Sequence, residues 1–84
     1  MKKVMKFGAE WCQPCKSLSE LIKSTDLKGT TVQEINIDTN LELVKQYNVR
    51  SIPLLIMFDT QGTEVSRAAS IKTKAQLDLF LNQE

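Results

Sequence analysis

The segment Pro53-Leu54-Leu55-Ile56-Met57-Phe58 carries no polar side chain. A short apolar run of this kind, bounded by turn residues, reads as a strand buried on both faces. Such a strand has to lie inside a sheet with other elements above and below it. The rest of the chain supplies them. Lys3–Phe7 reads as a short strand, followed by the loop Gly8-Ala9-Glu10-Trp11 and a helix from Gln13 that fades near Asp26, with Leu18, Leu21 and Ile22 at helical spacing. Lys28-Gly29 is a turn, and Thr31–Ile37 is a second strand bearing Val32, Ile35 and Ile37. Thr39 with Glu42, and Thr73 with Gln76, have the capping-box pattern and predict two further helices. The first of these runs to about Tyr47, and the second turns Leu77, Phe80 and Leu81 inward. Asp59-Thr60-Gln61-Gly62 closes a hairpin onto a last strand, Thr63–Arg67. The order βαβαββα predicts an α/β fold, a three-layer sandwich around one mixed four-stranded sheet.

With 84 residues the chain has room for one small domain, 1–84, and a modest core. The net charge is +1 with lysines scattered along the chain, which gives no electrostatic ground for binding nucleic acid or an anionic membrane. No apolar stretch approaches a membrane span, and Lys6 interrupts the short apolar start before a signal-peptide core can form. A cytoplasmic location is therefore expected, where structural disulfides are rare.

The chain has two cysteines, Cys12 and Cys15. A bridge between them closes too small a loop to remove much entropy from the unfolded chain, so a structural staple is a poor explanation. Reversible thiol chemistry suits the spacing better. The attacking species in disulfide exchange is the thiolate, and a cysteine at a helix N-terminus is favoured in that form by unpaired backbone N–H groups and the helix dipole. Cys12 stands at that position, and Cys15 lies one turn further on the same face. Pro14 fits the first helical turn, where a missing N–H costs nothing. Half of a structural zinc site is the competing reading, but zinc wants four ligands and the chain has no His and no third Cys. No metal is expected.

Phe7-Gly8-Ala9-Glu10-Trp11-Cys12-Gln13-Pro14-Cys15-Lys16 resembles the active-site segment of the thioredoxin family. Ile35-Asn36-Ile37-Asp38 is similar to the strand end that follows it, Tyr47–Pro53 to the segment that leads to the family's cis-proline, and Gln76-Leu77 with Phe80-Leu81 to its last helix. The resemblance runs over nearly the whole chain. It implies a thiol–disulfide oxidoreductase with Cys12 as attacking cysteine, Cys15 as resolving cysteine and Pro53 as a cis-proline beside them. Gln13 and Pro14 complete the active-site turn, and Trp11, Ile52, Pro53 and Ser70 form the rim that holds a client peptide. Lys16 reads as a solvated helix residue. No bound cofactor is needed. The implied partners are a flavin-dependent thioredoxin reductase and disulfide-bearing client proteins, ribonucleotide reductase among them, with the chain acting as a monomer.

Four departures from the family pattern stand out. Gln13 replaces the usual glycine between the cysteines, Ser70 replaces a rim glycine, and Glu20 stands where a helix-kinking proline is common. The chain also starts about one strand and one helix late, which leaves Thr31–Ile37 as a sheet edge in a glutaredoxin-sized form of the fold. A fifth feature concerns charge. The family places a buried Asp six residues before the first cysteine and a Lys on the neighbouring strand, whereas this chain has Lys6 and Glu34 at those places. Opposite charges on adjacent strands between packed faces are expected to meet.

Two other functions compete. A glutaredoxin-like redoxin, serving ribonucleotide reductase or using glutathione, fits the size. Trp11 before the first cysteine, and the lack of a Gly-Gly pair after the fourth strand, speak against it. A binding module that uses the fold as a subunit of a larger assembly would survive replacement of both cysteines by serine; an oxidoreductase would not.

Overall fold

The computed structural model describes residues 2–83. The elements are β1 (Lys3–Gly8), α1 (Gln13–Lys23), β2 (Thr31–Asn36), α2 (Leu41–Gln46), β3 (Leu54–Phe58), β4 (Glu64–Ala69) and α3 (Lys74–Leu81). The strands form one sheet in the order β2-β1-β3-β4. β1 and β2 are parallel, and β3 is antiparallel to both β1 and β4. The sheet is mixed and four-stranded, with β2 at an edge, as the element order predicts.

Alternation along the strands divides the core into two layers. On one face Val4, Leu55 and Met57 pack with Leu18 of α1, Leu77, Phe80 and Leu81 of α3, and Ile71. On the other, Phe7, Ile35, Leu54, Ile56 and Phe58 pack with Leu43, Tyr47, Val49 and Ile52 around α2. All five residues of β3 are buried, because helices cover both of its faces. Successive side chains of a strand point to opposite faces, so Lys6 follows Val4 onto the α1 side of the sheet.

Several boundaries differ from expectation: β4 spans Glu64–Ala69 rather than Thr63–Arg67, β2 ends at Asn36 rather than Ile37, and β1 reaches Gly8 rather than Phe7. The ladder of β3 begins at Leu54 rather than Pro53, since proline has no N–H to donate. α1 stops at Lys23, short of Asp26, where the Ser24 and Thr25 hydroxyls both donate to the Leu21 carbonyl. The capping box at Thr39 does not form. The N-cap of α2 is Asn40, with no side-chain cap bond. Asn36 organises this loop instead, its Oδ1 accepting from the Asp38 N–H at 2.8 Å and its carbonyl accepting from the Asn40 amide at 2.9 Å. Local side-chain bonds to backbone have displaced the cap. The second box is complete. The Thr73 hydroxyl accepts from the Gln76 N–H at 3.1 Å, and Gln76 Oε1 accepts from the Thr73 N–H at 3.1 Å.

Candidate active site

Cys12 is the N-cap of α1, in extended backbone, and Pro14 lies in the first turn, so the loop enters the helix without losing a needed donor. Cys12 and Cys15 form a disulfide with their Cα atoms 5.2 Å apart. Cys12 Sγ also accepts the backbone N–H of Cys15 at 3.2 Å. One cysteine sulfur therefore sits where backbone N–H groups and the helix dipole favour negative charge. Cys12 is 6% exposed against 2% for Cys15, its sulfur drawn toward the helix by the bridge and the Cys15 N–H. It remains the more accessible of the two.

The Ile52–Pro53 peptide bond is cis, as the family resemblance implies. Gln13, Pro14, Ile52, Pro53, Ser70 and Lys72 line a shared groove of about 610 Å³, bringing together three of the four expected rim residues. Ser70 has φ +64°, in the left-handed region that glycine adopts without cost. Trp11 does not line this groove. Its ring is 69% exposed beside Cys12, and its indole N–H donates to Asp38 Oδ2 at 3.0 Å. Asp38 was not singled out as a site residue. Its only sequence signal was its place at the end of the Ile35–Asp38 segment.

A second cleft, of about 520 Å³, opens beside Cys15 on the α1 side of the sheet. Lys6, Gly8, Glu10, Lys16, Ser19 and Glu34 are among its walls. Lys6 and Glu34 are register partners on β1 and β2, and the expected contact exists, with Lys6 Nζ 3.4 Å from Glu34 Oε2. Ser19 was not anticipated here; its hydroxyl donates to Glu34 Oε1 at 3.1 Å. In the sequence Gly8 stands out only as part of the active-site segment. A Cβ at Gly8 would lie 3.2 Å from Cys15 Sγ, so the missing side chain lets α1 approach β1 there. Among the described residues no group of three or more His, Cys, Asp or Glu side chains is placed to hold a metal ion.

The thioredoxin family model matches residues 1–83. The chain belongs to the thioredoxin family. It is 39% identical over 79 residues to a thioredoxin of Chlamydia pneumoniae, covering 92% of this chain and 76% of that one. It is 43% identical over 80 residues to a thioredoxin of Rickettsia felis, covering 92% and 75%. A mutant thioredoxin from Halobacterium salinarum superposes with a TM-score of 0.81 at 27% identity, over 95% of this chain and 71% of the other. The fold alone is matched by Trxlp from Edwardsiella tarda, with a TM-score of 0.87 at 23% identity over 98% and 82%. With the Cys12–Cys15 disulfide at the helix start, this membership makes the chain a thiol–disulfide oxidoreductase with protein-disulfide reductase activity. The glutaredoxin-like reading is not favoured.

Proposed function

We propose that the chain is a general protein-disulfide reductase in which Cys12 attacks and Cys15 resolves. The position of Cys12 at the N-cap of α1, bridged to Cys15 and the more accessible of the pair, carries this reading. In the reduced protein the Cys12 thiolate attacks one sulfur of a client disulfide, and the other client sulfur leaves as a thiolate. Cys15 then attacks Cys12 Sγ, the Cys12–client bond breaks, and the second client thiolate departs. Two electrons pass to the client, its thiolates take protons from solvent, and the Cys12–Cys15 disulfide is left.

The rim role of Ile52, Pro53 and Ser70 is supported by their shared groove next to the first turn of α1. The active-site turn residues Gln13 and Pro14, between the two cysteines, line the same groove, and Trp11 directly precedes Cys12 in sequence. Residues 1–84 act as one domain and as a monomer in this reading. Electrons come from a flavin-dependent thioredoxin reductase. A relative from Mycobacterium leprae, 39% identical over 74 residues and covering 84% of this chain and 16% of that one, is a bifunctional thioredoxin reductase/thioredoxin, which supports the pairing. Ribonucleotide reductase is a proposed client. No helix among the described residues is long and apolar enough to cross a membrane, and the cytoplasm is the proposed compartment.

Insulin reduction tests the reading. Turbidity is expected with NADPH and thioredoxin reductase as donor, and little with glutathione. Replacing Cys12 by Ser should abolish it. Efficient turnover with glutathione alone would favour the glutaredoxin-like alternative.

A further inference from the structure

Lys6 is a buried ammonium in the layer beneath the active-site helix, 2% exposed, while its partner Glu34 is 63% exposed. Taking a charge out of water costs several kcal/mol unless it is well paired. The pairing here is poor. At 3.4 Å the contact is longer than the roughly 2.7–2.9 Å of a strong charge-assisted bond, and the Glu34 carboxylate is largely solvated. This is the one protein hydrogen bond that the Lys6 ammonium makes among the described residues, although an ammonium has three donors. The other donors are available to the cleft that Lys6 shares with Cys15. A single point, where a Cβ on Gly8 would sit, is 3.2 Å from Cys15 Sγ and 3.6 Å from Lys6 Nζ. Sulfur and ammonium thus both approach the place that a side chain on Gly8 would fill.

We infer that Lys6 is a positioning residue for the second half-reaction, its charge holding Cys15 as a thiolate ready to attack Cys12. The inference rests on the proposed order of attack but concerns a separate step. In the mixed disulfide Cys15 is a free thiol facing the Lys6 ammonium. The nearby positive charge favours loss of its proton to cleft water. The resulting thiolate forms the S–S bond to Cys12, the Cys12–client bond breaks, and the client sulfur leaves as a thiolate that takes a proton from solvent. The charged groups around this point are Lys6 from β1, Glu34 from β2, Lys16 from α1 and Glu10 from the preceding loop. Glu34 and Glu10 oppose the effect. Lys16, exposed to solvent, adds to it only weakly. Lys6 dominates because it is the one charge among them shielded from water.

The test is the pH profile of Cys15 alkylation by iodoacetamide in a Cys12→Ser background, a readout that requires neither client nor reductase and that packing alone would not move. Lys6→Met removes the charge and keeps an unbranched apolar side chain. It is expected to raise the midpoint by roughly one to two pH units. Glu34→Gln, at an exposed position, keeps the side-chain shape but frees Lys6 from its counter-charge and is expected to lower the midpoint. Opposite shifts in the two variants would establish the role. An unchanged midpoint in Lys6→Met, or a rise in Glu34→Gln, would overturn it, and either result would leave the insulin assay to judge the disulfide reductase on its own.

Discussion

Trp11 and Asp38 are joined by a hydrogen bond of 3.0 Å from the indole N–H to Oδ2, linking the loop before Cys12 to the segment after β2. The ring is otherwise largely in solvent, so this bond is the identified restraint on its orientation. Asp38→Ala removes the acceptor. A solvated hydrogen bond to a carboxylate contributes about 1 kcal/mol or less, so the unfolding midpoint should move little. Trp11 fluorescence should change and insulin reduction should slow several-fold, since the ring beside Cys12 loses its fixed position. Unaltered fluorescence in the oxidised protein would show that the bond does not hold the ring in solution.

Gly8→Ala should destabilise the oxidised protein more than the reduced one. The added methyl would lie 3.2 Å from Cys15 Sγ and 3.3 Å from Cys15 Cβ. In the disulfide that sulfur is tethered to Cys12 and cannot move aside, whereas a free thiol can rotate about its Cβ. Overpacking a closed site typically costs about 1–3 kcal/mol. Urea unfolding of both redox forms measures the difference. Equal losses would mean that the backbone, and not the sulfur, absorbs the methyl.

Ser70 occupies left-handed backbone with φ +64°. The left-handed region costs a non-glycine residue roughly 1–2 kcal/mol, and glycine gives back part of that gain through its greater freedom in the unfolded chain. Ser70→Gly should therefore leave stability unchanged or raise it by up to about 1 kcal/mol. Ser70→Val should lower it, because a β-branched residue tolerates positive φ least. Since Ser70 also lines the groove with Pro53, the same pair of variants should alter KM for a client peptide more than kcat. A valine variant as stable as the parent would contradict the backbone argument.

The Arg67 guanidinium bonds Glu64 through both carboxylate oxygens, at 2.8 and 2.9 Å, on the exposed face of β4. The hydrogen bonds from Arg67 hold the Glu64 carboxyl below the usual carboxylate range, against a smaller opposing effect of burial. A depressed acid stabilises the fold above its unfolded-state value, and that contribution fades as pH falls through the folded-state value. About a third of each side chain is in water, so the contribution is at most a few tenths of a kcal/mol. Glu64→Gln should be slightly less stable than the parent at pH 7 and equal to it at strongly acid pH, where both side chains are neutral. Arg67 also donates to the Tyr47 carbonyl at 2.9 Å, and that bond should persist at either pH. A gap between the two proteins that widens on acidification would reverse the sign.

Much of this protein is set by local pattern. The apolar run of β3, the 3.6-residue spacing of Leu18, Leu21 and Ile22, and the capping box at Thr73 are short-range features, and each specifies its element without reference to the rest of the chain. The spacing of Cys12 and Cys15 at a strand-to-helix junction likewise marks the chemistry, because the helix N-terminus that acts on Cys12 is built from its own next residues. The loop before α2 is also local, but two short-range patterns compete there: the Asn36 side chain accepts from the Asp38 N–H and the Asn40 side-chain amide donates to the Asn36 carbonyl, in place of the Thr39 box. Tertiary structure decided whatever depends on residues distant in sequence. The Asp38 partner of Trp11 and the Ser19 partner of Glu34 arise only when the loop and α1 come to lie against the segment around β2. The Lys6–Glu34 contact was legible as a charge pattern, but its asymmetry was not. Lys6 is buried because α1 closes over β1 at Gly8, and Glu34 stays in water because β2 is an edge strand, so packing leaves the positive charge beside Cys15 and the negative one in solvent.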